Sequence, residues 1–195
     1  MTEAATLELW LVRHGETTHS RDGLLAGWVD VPLTAVGEAQ AAAVGPLLAG
    51  ERFDSVWCSD LTRAATTARL AWGEARRDRR LREINFGSLE GLPWATLDDT
   101  LKRGLVAFSG FSPPGGETIE EMRARAHSFV LELPPGRHLL FTHGGVIRAL
   151  TREAGEDKFL PTGSVAALDW SARRVLFIRT QDGARPPFVA ASKRG

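Results

Sequence analysis

The stretch Leu7-Glu8-Leu9-Trp10-Leu11-Val12-Arg13-His14-Gly15 decides the fold. Residues 7–12 are rich in β-favouring and apolar side chains, and the run stops on a polar pair followed by glycine. A short apolar run bounded by such a turn signal reads as a buried strand that feeds a loop. A second run, 138–142, delivers His143-Gly144-Gly145 in the same way, and 53–58 reads as a third short strand. Helical patterns lie between them. Thr34 is placed to cap a helix that closes at Gly50, with Val36, Ala39, Ala43, Leu47 and Leu48 as its expected core face. Ser59-Asp60 offers a cap for a helix through Leu70. Thr118-Ile119-Glu120-Glu121 is a capping box, followed by Ile119, Met122, Ala126, Phe129, Val130 and Leu133 on one face. A further helix is expected from Gly144 to Gly155, then a hairpin of 165–170 with 175–179. Residues 84–116 read as irregular. Strands alternating with helices predict a three-layer α/β/α sandwich around a mostly parallel central sheet.

Composition bounds what such a chain can do. At 195 residues and 21.2 kDa, one domain is expected over 1–180, with 181–195 as a C-terminal tail. Surface scaling for that mass buries about 70% of the extended chain's surface, enough for a core without covalent staples. Lysine plus arginine and aspartate plus glutamate both number 24, so the net charge is zero. That excludes a general polyanion binder, which needs a basic excess. The cluster Arg76, Arg77, Arg79, Arg80, Arg82 lacks interleaved aromatics, so no nucleic-acid partner is expected; it reads as a solvated connection or a means of steering anions. The single cysteine, Cys58, rules out an intramolecular disulfide and a multi-cysteine zinc site. It reads as an inert core thiol. No apolar segment approaches the roughly 20 residues of a membrane helix, and residues 1–6 do not resemble a signal peptide. A soluble, cytoplasmic protein with no membrane partner is expected.

In parallel sheets, ligands bind beyond the carboxyl ends of the strands. Arg13-His14-Gly15 and Thr142-His143-Gly144-Gly145 both fall there, and Arg63 follows the 53–58 strand by about one helical turn. Each signal is weak alone. A lone histidine can be a cap, and a helix-face arginine is usually solvated. Together they describe a pocket for an oxyanion, with guanidinium forks, close backbone approach at glycines and helix N-terminal amides. His19, His127 and His138 read as surface or packing residues.

Six segments, in order, carry a resemblance. They are Leu-Val-Arg-His-Gly-Glu-Thr (11–17), Gly-Trp-Val-Asp-Val-Pro-Leu-Thr (27–34) and Ser-Asp-Leu-Thr-Arg-Ala-Ala-Thr-Thr-Ala (59–68). Then follow Leu-Arg-Glu-Ile-Asn-Phe-Gly-Ser-Leu-Glu-Gly (81–91), Pro-Gly-Gly-Glu-Thr (114–118) and Thr-His-Gly-Gly-Val-Ile-Arg (142–148). The chain resembles the histidine phosphatase superfamily, in the branch of the phosphoglycerate mutases and their phosphatase relatives. The resemblance implies that His14 is a nucleophile that becomes a phosphohistidine. Arg13, Arg63 and His143 would clamp the phosphoryl group, and Glu83 would be the acid/base. It implies substrate contacts at Thr17, Ser20, Gly27 and Gly144 as well, although Ser20 stands where relatives often carry Asn. No metal and no cofactor are implied. The nucleophile must be neutral, while Glu83 must carry a proton, which desolvation favours.

The resemblance favours a phosphomonoesterase over a cofactor-dependent phosphoglycerate mutase. Such mutases place a Tyr three residues after the acid/base, where this chain has Phe86, and the chain has no tyrosine. Residues 92–118, expected as a small cap, offer only Lys102 and Arg103 as bases beside Trp94, Leu97, Leu101, Leu105, Val106, Phe108 and Phe111. That cap either packs on itself or forms an apolar wall for the organic part of an ester. An α-ribazole phosphatase and a catalytically inactive phosphate-binding module are the further alternatives. The expected partners are a small phosphorylated metabolite and, as an open possibility, a second copy in a homodimer.

Overall fold

In the computed structural model, residues 6–181 are described here. The strands are β1 (Leu7–Arg13), β2 (Ser55–Cys58), β3 (Arg76–Arg77), β4 (Gly136–Thr142), β5 (Val165–Asp169) and β6 (Arg174–Arg179). The helices are α1 (Thr18–Asp22), α2 (Ala35–Leu48), α3 (Thr62–Ala71), α4 (Asp99–Ala107), α5 (Ile119–Val130) and α6 (Gly144–Glu153). The sheet order is β3-β2-β4-β1-β5-β6. The pairs from β3 through β1 are parallel, while β1–β5 and β5–β6 are antiparallel. The tail expected from 181 onward lies, past Gln181, outside the described residues.

Strand alternation builds the three layers. Along β1, Leu9 and Leu11 face one core, with Leu140, Met122, Phe129 and Ile147. Trp10 and Val12 face the other, with Val44, Leu48, Ala68 and Phe141. Period-two alternation with both faces apolar is what a strand buried between two layers requires. Deleting a side chain such as Leu11, fully buried, down to Ala is expected to cost roughly 2–5 kcal/mol. No helix among the described residues is long and apolar enough to cross a membrane.

Three local readings change. The buried face of α2 is Gly37, Ala41, Val44 and Leu48, whereas Val36 and Leu47 are 56% and 44% exposed. Ala39 and Ala43 are exposed as well. Small residues turn inward because the chain crosses closely there: a Cβ on Gly37 would meet the Glu16 carbonyl oxygen at 2.0 Å. Ser59 and Asp60 do not cap α3. Its N-cap is Leu61, without a side-chain bond, because the Asp60 carboxylate is held by Arg82 at 2.7 Å. Residues 84–116 are not wholly irregular. Asp98 caps α4 through the amides of Thr100 and Leu101. The Thr118–Glu121 capping box is present, and Ile119, Met122, Ala126, Phe129 and Val130 are buried.

Candidate active site

Register brings the two histidines together. In the β1–β4 pair, Arg13 stands opposite Thr142, so the next residue of each strand is a histidine. The His14 amide donates to the Thr142 carbonyl at 3.1 Å, and the two imidazole centroids lie 5.1 Å apart at a 58° tilt. Arg63 arrives from the first turn of α3 and Glu83 from the loop before Phe86. His14, Arg13, Arg63 and Glu83 line one cavity of about 270 Å³. His143 lies behind that wall, fully buried.

The tautomer of His14 follows from its neighbour. Nδ1 is 2.7 Å from the Gly15 carbonyl oxygen. A carbonyl only accepts, so Nδ1 carries the hydrogen and Nε2 keeps its lone pair. Burial, and then the charges of Arg63 and Arg13, hold the His14 pKa well below the usual histidine range. His143 is held low by burial first, then by Arg63, His14 and Arg13. Both rings are therefore neutral at neutral pH.

The arginines are anchored by carbonyls rather than carboxylates. Arg63 donates from Nη1 to Val29 O at 2.9 Å and from Nη2 to Gly27 O at 2.6 Å. Arg13 donates from Nη1 to Leu160 O and lies 5.1 Å from the Phe159 ring centroid. Burial lowers both guanidinium groups to about 10, which leaves them cationic at neutral pH. The Nε atoms of Arg13 and Arg63 and both ring nitrogens of His143 are buried without a hydrogen-bond partner. Buried guanidinium N–H groups left without partners on residues that line the cavity are what an oxyanion would satisfy.

Glu83 is 9% exposed. Its carboxylate accepts from the Gly145 amide, at 3.1 Å to each oxygen, and Oε1 accepts from the Ile84 amide at 3.0 Å. Its backbone is fixed independently. The Glu83 carbonyl accepts from the Trp28 indole at 2.8 Å and from Arg125 Nη2 at 3.1 Å, and Arg125 is itself paired with Glu117. Sequence reasoning misses both Arg125 and Trp28, although Trp28 and Glu117 lie inside quoted motifs.

The peripheral contacts divide. Thr17, Ser20 and Gly27 line the cavity. Thr17 and Ser20 bind each other in the capping box of α1, with the Thr17 amide donating to Ser20 Oγ at 2.9 Å. Gly27 also anchors Arg63, and at φ +50° it avoids Glu90, whose Oε1 would lie 2.3 Å from a Cβ. Gly144 does not line the cavity. A Cβ there would meet Phe159 at 2.4 Å, so its glycine serves packing, while Gly145 supplies the amide at the site. His19, read from sequence as a surface or packing residue, lines the cavity with a buried Nδ1 that has no partner. Cys58 is buried, its thiol pushed up to about 11 by desolvation.

Residues 9–177 match the histidine phosphatase superfamily (branch 1). The solved structure of a phosphoglycerate mutase from Thermus thermophilus is 49% identical with a TM-score of 0.84, covering 90% of this chain and 99% of that one. Fructose-2,6-bisphosphatase TIGAR of Xenopus tropicalis is 42% identical over 135 residues, 64% of this chain and 49% of that protein. The chain thus spans about half the length of that relative. The adenosylcobalamin/alpha-ribazole phosphatase of Escherichia coli K12 is 33% identical over 159 residues, 74% of this chain and 77% of that protein. With the family match spanning nearly all of the described residues, and a buried His14–Arg13–Arg63–His143 cluster at the strand ends beside Glu83, the chain belongs to the histidine phosphatase superfamily.

Proposed function

We propose that the protein is a metal-independent phosphomonoesterase acting on small phosphate esters through a phosphohistidine on His14. The observation that carries this reading is the bond from His14 Nδ1–H to Gly15 O, which leaves the Nε2 lone pair available in a pocket lined by Arg13 and Arg63. Attack by Nε2 on phosphorus forms a P–N bond as the ester P–O bond breaks, and Glu83 gives its proton to the leaving oxygen. Glu83 then takes a proton from water, whose oxygen attacks phosphorus. The P–N bond breaks and neutral His14 and inorganic phosphate are left. Catalysis in such a transfer rests on positioning and on charge held against the equatorial oxygens, a task suited to two guanidinium groups and a neutral imidazole donor. Glu83, gripped by two amides and a fixed main chain, is positioned for both proton transfers. The setting in this reading is a reducing cytoplasm, which suits a lone thiol.

The test is phosphate release from 4-nitrophenyl phosphate in the presence of a chelator, with alkaline trapping of the labelled phosphohistidine. His14→Ala is expected to lose both signals; substantial residual turnover overturns the reading. A mutase is the second reading, favoured by the likeness to the Thermus thermophilus phosphoglycerate mutase. Efficient isomerisation of 3-phosphoglycerate with its bisphosphate present would select it. The name of the Escherichia coli relative motivates α-ribazole phosphate as one arm of the substrate screen. Absence of turnover with vanadate binding retained would select a binding module.

A further inference from the structure

The cavity's lining is of two chemistries. One part of it is His14, Arg13, Arg63 and Glu83. The rest is walled by side chains that include Leu24, Phe86, Trp94, Val106, Phe108 and Ile119. These come from the loop after α1, the loop after Glu83, the segment around α4 and the start of α5. Phe86 packs edge-on to Phe111 with centroids 5.8 Å apart, which fixes its ring in place.

The polar groups of that wall are mostly committed elsewhere. Arg148 reaches the cavity, but its Nε donates to Asp157 at 2.6 Å, its Nη atoms donate to Leu105 O and Val106 O, and its fork stacks 4.6 Å from the Phe108 centroid. The hydroxyls of Thr17 and Ser20 are bound to each other and to the α1 backbone. His19 offers a buried Nδ1 without a partner. A neutral hydrogen-bonding substituent therefore has a place to go, whereas a second phosphate or a carboxylate would shed its water against apolar side chains with no uncommitted guanidinium among the wall's described residues.

We propose that the cavity selects phosphate monoesters whose organic part is apolar, a ring or a short branched chain, and discriminates against esters that carry a second anionic group. The proposal rests on the phosphomonoesterase reading for the orientation of the phosphoryl group. It goes beyond that reading by naming the substrate class. It also separates this chain's pocket from what the names of its bisphosphatase and mutase relatives suggest.

The test is calorimetric binding of non-hydrolysable phosphonates to the wild-type protein, run beside turnover assays. In the n-alkyl series from methyl to hexyl, affinity is expected to rise by roughly fourfold for each methylene that enters the cavity. In a near-isosteric pair, 3-methylbutylphosphonate is expected to bind at least about tenfold more tightly than 3-phosphonopropionate, in which a carboxylate replaces the isopropyl group. A flat series, no detectable binding, or tighter binding of the carboxylate overturns the proposal. Binding that follows the series in a protein that releases no phosphate from any monoester removes the phosphatase reading and leaves the pocket's selectivity standing. Turnover with a flat series does the reverse.

Discussion

The main-chain amide of Gly145 stands 3.1 Å from each carboxylate oxygen of Glu83. This contact ties the proposed acid/base to the first turn of α6, the helix that starts directly behind His143. It also explains why a glycine occupies that helical position. A Cβ at 145 would lie 2.3 Å from Glu83 Oε1. Gly145→Ala gains helix propensity worth about 1 kcal/mol, so folding is expected to be little changed. The carboxylate must move, and a displacement of that order is expected to lower kcat by about 100-fold. Steady-state kinetics beside a thermal melt checks this. An unchanged kcat would show that Glu83 does not work from this position.

Glu83→Gln separates proton donation from positioning. The amide can occupy the same place but has no proton of suitable acidity. Loss of a general acid removes about 100- to 10,000-fold from a step that needs one. The loss is expected to be large for alkyl phosphates, whose leaving oxygen must be protonated, and much smaller for phosphoenzyme formation from 4-nitrophenyl phosphate. The ratio of burst rates on the two substrates is the measurement. Equal losses on both would assign Glu83 to binding instead.

Arg63 reaches the cavity from a carbonyl cradle, Gly27 O and Val29 O. Arg63→Lys keeps the charge but cannot grip both carbonyls and still present a donor, because the ammonium is a single point. By analogy with the loss of one oxyanion donor, kcat/KM is expected to fall by about 100- to 1,000-fold. Vanadate inhibition should weaken in parallel. Full activity in the lysine variant would show that the fork geometry is unimportant.

The two neutral imidazoles set an acid limit on stability. His14 and His143 are held well below the usual range, chiefly by burial. Below the unfolded value of about 6.5, the unfolded chain binds protons that the folded chain does not. Their contribution is therefore fully present above about pH 6.5 and is lost as pH falls towards the folded values. The slope approaches about 1.4 kcal/mol per pH unit for each histidine. Denaturant midpoints from about pH 7 to pH 5 should fall steeply for the wild type and about half as steeply for His143→Asn. Equal slopes would mean that His143 is protonated in the folded protein.

What was legible in the sequence follows from physics that is local. The apolar run to Val12, the run to Thr142 and the glycines behind them exposed the strand ends, and with them His14, Arg13 and His143. The Thr118 capping box was legible because both partners lie within four residues. The inward face of α2 was not, because a close crossing buries Gly37 and Ala41 while leaving Val36 and Leu47 outside. Helix α4 was hidden by Gly104 and a single short apolar face. His19 and Arg125 were obscure for a different reason. Their roles depend on chain segments far away in sequence, and periodicity carries no trace of such contacts.

Helix α4, whose Val106 lines the cavity, is held by two arginines of α6. Helix α4 ends at Phe108, a non-glycine residue at φ +53°, a conformation that L-residues adopt at a cost of about 1–2 kcal/mol. Its terminal carbonyls need donors: Leu105 O accepts from the Phe108 amide at 3.3 Å, and side chains of α6 supply more. Arg148 accepts that task for Leu105 and Val106, and Arg152 for Ala107 and Phe108. Arg148 is further braced by Asp157 at 2.6 Å and covers the Phe108 ring. Arg148→Met keeps much of the apolar stem but removes the donors, each charged bond being worth about 1.5–3 kcal/mol. The left-handed turn then loses what holds it, and the last turn of α4 should fray. Amide hydrogen exchange across 99–108 is expected to speed up by at least about tenfold, while exchange in β1 and β4 stays unchanged. Because Val106 and Phe108 line the cavity, KM for an apolar ester should rise more than kcat falls. Unchanged exchange in α4 would mean that Arg152 and the helix's packing hold it without Arg148.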